Sequence, residues 1–398
     1  MYAAYPLESI AFFAQPVKNY PLMTVYLDNA ATTPLCPEAR EAMVAALDLY
    51  GNPSSTHAEG RKSKALIERV RKEIAAALNC LPAEIIFTSG GTEADNWALQ
   101  SGVEFMGVKK LYYSELEHHA VTHMVESLAG RVEVVSIPYN EHGDHDLDWL
   151  EAQLGADQIA GRKAMVTLIH ANNEIGNLVD LARLSAITRA SSAILHSDTV
   201  QTMAHLSLDF GATPLEFAAC SAHKFHGPKA IGFAYVKQGS GAQPFMRGGG
   251  QERGQRAGTE NVVGIAGMGA AFAVAMADLE QDAAKMIDVK SYAIEQLKKA
   301  FSSVRFNGRS GELDRSLFTV LNFYIPELHE GGMLNFQLDL QGFCVSGGSA
   351  CSSGAVGGSH VLAGLKVPGG TRVSFSRMTS RADIDALIHA LQNLPKLD

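Results

Sequence analysis

The segment from Phe217 to Lys224 reads Phe-Ala-Ala-Cys-Ser-Ala-His-Lys, a short apolar run that is followed closely by a lysine. An apolar run of this length predicts a buried strand. Similar runs occur on both sides of it, with helical patterns between them, and this alternation is typical of an α/β fold with a mostly parallel sheet. The seven predicted strands are residues 84–88, 111–114, 132–137, 164–170, 193–196, 217–221 and 231–236.

The remaining elements are predicted from the spacing of apolar residues and from residues that typically begin or end helices. Ile67, Val70, Ile74, Ala77 and Leu78 recur at spacings of three and four, which predicts one face of an amphipathic helix. Pro37 is suited to begin a helix and Gly51 to end it. Residues 261–301, rich in Ala, Met and Lys, predict a long helix connecting two domains, followed by strands at 317–324 and 372–376 and a closing helix.

These elements suggest three segments. Residues 1–22 carry no basic region and no cleavage site of a signal peptide, and we expect a disordered extension. Residues 23–260 form the expected large domain, whose first residues, about 23–36, can pack with a smaller α+β domain. That smaller domain, with the connecting helix, is expected at residues 261–398.

Composition restricts the class of protein. The chain has 398 residues, of which 46% are hydrophobic and 19% charged, so it can bury a full core. A formal charge of −9 without a Lys/Arg cluster argues against nucleic acid or an anionic membrane as the main partner. The cysteines are odd in number and lack a Cys-x-x-Cys pair, which favours a reducing cytoplasm over a disulfide framework or structural zinc. They are Cys36, Cys80, Cys220, Cys344 and Cys351.

Lys224 and Asp198 together suggest a cofactor. An amine can form a Schiff base with pyridoxal phosphate, and a carboxylate can keep its ring nitrogen protonated so that the ring accepts electrons. Each has a simpler explanation, since a lysine flanked by polar residues is usually a solvated cation and an aspartate at a strand end can cap a helix. The phosphate could bind at the predicted helix N-terminus at Gly91 and Thr92. A Gly-Gly-Thr turn is, however, also common as a plain connection between a strand and a helix.

Other polar groups follow predicted strands, where α/β folds place ligands. His118 could stack on a flat cofactor, while Asn173 and Gln201 offer uncharged donors. His119 and His123 have the i, i+4 spacing of metal ligands, but without the Glu of a His-Glu-x-x-His motif we expect surface histidines and no metal.

The last third of the chain contributes a thiol and a guanidinium. Cys351 lies in a loop too polar and glycine-rich to bury it, so its thiolate could attack a substrate. Cys220 and Cys344 have apolar neighbours and are predicted to be buried. Arg372, in a predicted strand, could hold the carboxylate of an amino acid or form a structural ion pair.

From about Val25 to Leu391 the sequence resembles the cysteine desulfurases of the class V aminotransferase group, of the type that supplies sulfur for iron-sulfur clusters. The resemblance implies the pyridoxal phosphate-dependent transferase fold (aspartate aminotransferase-like), with a mainly parallel seven-stranded sheet in the large domain. It rests on residues 27–34, 51–55, 88–93, 117–118, 172–176, 221–224, 248–253 and 348–351.

The resemblance also implies roles for single residues. Lys224 would bind the cofactor covalently, Asp198 would pair with its ring nitrogen, and His118 would stack on the ring. Asn173 and Arg372 would contact the substrate, and Cys351 would carry a persulfide. The phosphate would be held by Gly91, Thr92, Ser221 and His223, the phenolic oxygen by Asn173 and Gln201, and the phosphate of the neighbouring subunit of a homodimer by Thr259. Ala222 would also belong to the cofactor-binding residues.

The expected reaction converts L-cysteine to L-alanine and passes the sulfur to an acceptor such as an iron-sulfur scaffold protein. Two alternatives stay open at this point. One is another reaction on the same fold, transamination or selenocysteine cleavage. The other is a non-catalytic binding or scaffold subunit, against which the presence of Lys224, Asp198 and Cys351 argues.

Overall fold

The structure, a computed structural model, describes residues 24–330, 332–347 and 358–394. The predicted extension at residues 1–22 and the predicted nucleophile Cys351 lie outside the described residues. The strands are β1 Val25–Tyr26, β2 Ile85–Thr88, β3 Lys110–Tyr113, β4 Glu133–Ser136, β5 Ala164–Thr167, β6 Ile194–Asp198, β7 Phe217–Ser221, β8 Gly232–Val236, β9 Arg305–Phe306, β10 Val320–Tyr324, β11 Phe343–Cys344 and β12 Thr371–Ser374. The helices are α1 Pro37–Ala46, α2 Ala58–Ala77, α3 Gly91–Glu104, α4 His119–Leu128, α5 Leu147–Ile159, α6 Leu181–Ala190, α7 Val262–Ala277, α8 Leu279–Ala300, α9 Pro326–His329, α10 Leu334–Leu340, α11 His360–Gly364 and α12 Arg381–Gln392.

A seven-stranded sheet forms the centre of the fold, in the order β2-β8-β7-β6-β5-β3-β4. Strand β8 is antiparallel to both of its neighbours, and all other pairs are parallel. All seven predicted strands are present, so the prediction of an α/β fold with a mainly parallel sheet is confirmed. The strand predicted over residues 164–170 is longer than β5, which ends at Thr167, although the amides of Leu168 and His170 still donate to carbonyl oxygens of β6.

Both faces of this sheet are covered by helices. Side chains alternate along a strand, so Leu111 contributes to the core on one face and Tyr112 to the core on the other. The face that carries Tyr112 packs against α2, whose Ile67 and Ile74 are buried as the spacing predicted. Strands buried on both faces read as continuous apolar runs, and this is why the sequence revealed them.

The single long helix predicted over residues 261–301 is wrong. Two helices, α7 and α8, meet at Asp278 and are bent by 75° relative to each other. Helix α7 packs against α1 and α2, whereas α8 packs against α12, and Asp278 takes a non-helical conformation and pairs with Arg377. No single helix of the described residues is long and apolar enough to cross a membrane, although α7 and α8 meet that test as a bent pair.

A second core lies between α8, α12 and a three-stranded antiparallel sheet in the order β12-β10-β9. The predicted strands at 317–324 and 372–376 correspond to β10 and β12, both slightly shorter. Strand β1 pairs in parallel with β11, and Leu27 belongs to this second core. The segment that follows β1 then runs beside β12, where Asp28 pairs with Ser374. The division into domains stays a prediction.

Candidate active site

One cavity lies at the carboxyl ends of β6 and β7, beside the N-terminus of α3. It encloses about 730 Å³, including its open mouth. The position is the one expected for ligands in an open α/β sheet. Ten residues proposed from the sequence line it together: Gly91, Thr92, His118, Asn173, Asp198, Gln201, Ser221, His223, Lys224 and Arg372.

Lys224 stands at the end of a short 3₁₀ turn that follows β7. Its Nζ donates hydrogen bonds to the carbonyl oxygens of Ala30 at 2.7 Å and Ala31 at 2.9 Å. The ring of His205 contacts its main-chain oxygen through Nε2 at 3.1 Å. The amine therefore lies at the cavity wall formed by the segment after β1, and it is not the solvated loop cation that was the simpler alternative.

Asp198 is the last residue of β6, and only 4% of its surface is exposed. Its Oδ1 accepts a hydrogen bond from the amide of Val200 at 2.9 Å. Burial raises the pKa of the carboxyl to about 6, against the opposing effects of that hydrogen bond and of the Lys224 charge. The carboxyl is therefore ionised at neutral pH and can stabilise a proton on a bound nitrogen base.

The N-terminus of α3 forms the third part of the cavity. Gly90, which precedes the helix, has a φ of +152°, a conformation that favours glycine. A Cβ added to Gly91 would lie 2.5 Å from a methyl group of Val200, so a larger residue would displace the cavity wall. The first amides of a helix have no partner within it and attract anions. A phosphate group therefore fits this position.

His118 is the residue before α4, and its Nδ1 accepts a hydrogen bond from the amide of Ala120 at 3.1 Å. Burial, with smaller effects from Lys224 and neighbouring histidines, lowers its pKa to about 4. The imidazole is therefore neutral at physiological pH. A neutral ring that lines the cavity is suited to lie against a flat aromatic group.

Arg372 combines both of its predicted alternatives, because it forms an ion pair and also lines the cavity. Its Nη2 contacts Oδ1 of Asp28 at 2.9 Å, and its Nη1 donates to the main-chain oxygen of Asn173 at 2.8 Å. The Nε of Arg372 and the Oδ1 of Asn173 are buried without a hydrogen-bond partner. Unsatisfied buried polar atoms are costly, so two such atoms beside one cavity indicate a site that a polar ligand completes.

Two predicted residues do not line this cavity, since Ala222 is fully buried and Thr259 is exposed. Cys351 lies outside the described residues. The rings of His119 and His123 stack 4.7 Å apart, and no group of the described residues has the arrangement of a metal site.

Two contributions were missed in the sequence. The carbonyl oxygens of Ala30 and Ala31 accept hydrogen bonds from the amine of Lys224. The only signal for them in the sequence is their position within the motif of residues 27–34. Asp95 lines the cavity from one turn inside α3. Its signal is the spacing of three residues from Thr92, which places both residues on one helix face.

The family model of class-V aminotransferases matches residues 25–387. The chain belongs to the class-V aminotransferase family. A "Cysteine desulfurase IscS" of Dictyoglomus turgidum is 38% identical over 383 residues, covering 93% of this chain and 94% of that protein. The protein of the same name from Methanosarcina thermophila is 36% identical, with 93% and 91% covered.

Two solved structures have the same fold as this chain. A NifS-like protein superimposes with a TM-score of 0.83 at 29% identity and covers 93% of this chain and 98% of its own. A NifS-like protein from Rickettsia africae superimposes with a TM-score of 0.81 at 31% identity, with 93% and 99% covered. The expected pyridoxal phosphate-dependent transferase fold is therefore confirmed.

Proposed function

We propose that this class-V aminotransferase family member is a cysteine desulfurase that uses pyridoxal phosphate to convert L-cysteine to L-alanine. The observation that carries the proposal is the convergence of an amine, a buried carboxyl and a glycine-lined helix N-terminus on one cavity, from Lys224, Asp198 and Gly91. The relatives supply the substrate, since they are named cysteine desulfurases.

The cavity residues suit each part of the cofactor. Gly91, where a side chain would collide with Val200, leaves room for the phosphate, and the unpartnered Oδ1 of Asn173 can meet a hydroxyl group. The proposed contacts are Gly91, Thr92, Ser221 and His223 with the phosphate, Asp198 with the ring nitrogen, Asn173 and Gln201 with the phenolic oxygen, His118 with the ring face and Lys224 with the aldehyde.

When bound, pyridoxal phosphate accepts the electrons released at the substrate's α-carbon. Lys224, whose side chain lines the same cavity, removes the α-proton. Asp198, ionised at neutral pH, holds the proton on the ring nitrogen. Arg372 orients the substrate through its carboxylate while Asp28 and Asn173 keep the guanidinium in place.

The sulfur step is assigned to Cys351. Its thiolate forms an S–S bond with the substrate sulfur as the Cβ–S bond breaks, and the electron pair left on Cβ takes up a proton to give alanine. Each of the other cysteines is a poor nucleophile at neutral pH, since burial raises the thiol pKa. These are Cys36, Cys80, where the pKa is about 12, Cys220 and Cys344. The persulfide then supplies an acceptor used for iron-sulfur clusters or another sulfur-containing product.

The test is incubation of the purified protein with L-cysteine, with measurement of alanine and of the mass of the peptide that contains Cys351. We expect alanine together with the mass of one added sulfur. Cys351→Ala should abolish both, whereas Cys80→Ala, which removes a thiol outside the cavity, should leave both unchanged. Alanine production by Cys351→Ala would contradict the persulfide mechanism. Amino-group transfer to a keto acid by that variant, or turnover of selenocysteine alone, would instead favour an aminotransferase or a selenocysteine lyase.

Cofactor attachment can be tested separately from turnover. Borohydride reduction of the protein loaded with pyridoxal phosphate should fix the cofactor on Lys224, as detected by peptide mass. Reduction of the Lys224→Ala variant should fix none there. A stable adduct on Lys229, the lysine that follows in the same loop, would contradict the assignment.

We also propose a homodimer with shared sites, located in the cytoplasm. Thr259 supports the dimer, because it is exposed and does not line the cavity of its own chain. Mixed dimers of Lys224→Ala and Thr259→Ala subunits should contain one intact site if Thr259 serves the neighbouring subunit. Recovery of activity on mixing two impaired variants would support this arrangement, and no recovery in verified mixed dimers would refute it.

A further inference from the structure

Asp95 brings a third carboxyl group to the region around Asp198. The three side chains are almost fully buried, with 1% of Asp95, 4% of Asp198 and 0% of Glu117 exposed. They come from α3, from the end of β6 and from the segment after β3. Like charges in a buried site repel each other and lack solvation, so the three groups cannot all be ionised.

The partners of the three carboxyls differ. Asp198 has the amide of Val200 and the nearby charge of Lys224. Glu117 accepts a hydrogen bond from the amide of Ile169 at 2.6 Å. Neither Asp95 nor Glu117 forms an ion pair with any Lys or Arg of the described residues. Asp198 is therefore the carboxyl that is best able to carry a negative charge.

Asp95 has one polar neighbour of its own. Its Oδ1 lies 3.3 Å from Nε2 of His196, and both atoms are buried without a hydrogen-bond partner. The other ring nitrogen of His196, Nδ1, contacts Oγ1 of Thr167 at 2.8 Å. Burial lowers the pKa of His196 to about 3, so this ring is neutral. A neutral imidazole has one N–H and one acceptor nitrogen. When Nδ1 donates to Thr167, the acceptor is Nε2, and a protonated carboxyl can donate to it.

We propose that Asp95 is a positioning residue that carries a proton at neutral pH, directs it to Nε2 of His196, and so leaves Asp198 as the ionised carboxylate of the cavity. Burial and the charge of Asp198 both raise the pKa of Asp95, which agrees with this geometry. The groups that face Asp95 are Asp198 and His196 on β6 and Glu117 after β3. The inference rests on the proposed function, because an ionised Asp198 matters when a protonated ring nitrogen binds beside it.

The first test is infrared spectroscopy of the cofactor-free protein at about pH 8, labelled with ¹³C at the aspartate carboxyl. A protonated aspartic acid has a carbonyl band that carboxylates lack, and we expect one such band, shifted by the label. The labelled band should disappear in Asp95→Asn. It should persist in Glu117→Gln, because only aspartate carries the label. A labelled band that persists in Asp95→Asn, or no band in the unaltered protein, would overturn the proposal.

The second test measures the dissociation constant of pyridoxal phosphate as a function of pH. Asn resembles a protonated Asp in shape, charge and donor capacity, so the Asp95→Asn profile should match that of the unaltered protein within about threefold, or less than 1 kcal/mol. If Asp95 were ionised, Asn would remove a negative charge beside Asp198, and the midpoint of the profile would fall by about one pH unit or more. Asp95→Ala, which lacks the donor, should lose stability that Asp95→Asn retains.

These outcomes are separable from a failure of the proposed function. The infrared band requires neither cofactor nor substrate. A protein that shows the band and binds pyridoxal phosphate but releases no alanine from cysteine would refute the desulfurase assignment and leave the role of Asp95 standing.

Discussion

Lys290 offers a direct test of how burial controls charge in this fold. The side chain lies on α8 with 0% of its surface exposed. Its Nζ donates to Oγ of Ser316 at 2.7 Å and to the main-chain oxygen of Leu317 at 2.9 Å. Both partners are neutral, so burial lowers the pKa of the amine from 10.5 to about 7.

The sign of the pH dependence follows from this lowered pKa. The unfolded chain binds one proton more than the folded protein between the folded and unfolded pKa values, so stability rises with pH over that interval. The stabilising contribution of Lys290 is fully present above about pH 10.5, declines as the pH falls, and is gone below about pH 7. The interval of about 3.5 pH units, at about 1.4 kcal/mol each, gives on the order of 5 kcal/mol as an upper value.

The perturbation is Lys290→Met, which keeps the length of the side chain and removes the titration. Urea unfolding of both proteins at about pH 8 and about pH 9.5 should show the free energy of unfolding of the unaltered protein rising by about 2 kcal/mol relative to the variant. The contributions of the other titrating groups cancel in that difference, because both proteins contain them. Lys299→Met, an exposed lysine on the same helix, is the control and should show no such change. A difference between the unaltered protein and Lys290→Met that does not vary with pH would refute the reasoning.

Two further predictions concern glycines and a buried ion pair. Gly91→Ala should weaken pyridoxal phosphate binding by at least about tenfold, measured by titration of the cofactor-free protein, because the new methyl group meets Val200 at 2.5 Å. Gly155→Ala in α5 meets nothing within 4 Å and should instead stabilise the protein by about 0.5–1 kcal/mol in thermal unfolding. Arg71→Met should cost about 3–5 kcal/mol in urea unfolding, because it leaves Glu252, its partner at 2.7 Å, charged and buried. The double variant Arg71→Met with Glu252→Gln should recover part of that loss. Equal losses of stability in the single and the double variant would contradict the explanation.

The large sheet and part of the site could be predicted because their signals are local. A strand covered on both faces is apolar throughout, and polar residues that follow such strands lie at one edge of a parallel sheet. By this reasoning Lys224, Asp198 and Asn173 are expected at one edge of the sheet. The bend at Asp278 could not be found in this way, because residues on both sides of it favour a helix. It arises from the separate partners of α7 and α8.

The sequence by itself determined the order of strands and helices, the chemical groups available and the family. Tertiary structure alone decided which groups meet. It joined Asp28 to Arg372, placed Ala30 against Lys224, and buried Asp95 beside His196. The physical reason is that local patterns record backbone preference and burial. Charge and protonation depend instead on neighbours within a few ångströms, and in this fold those neighbours come from distant parts of the chain.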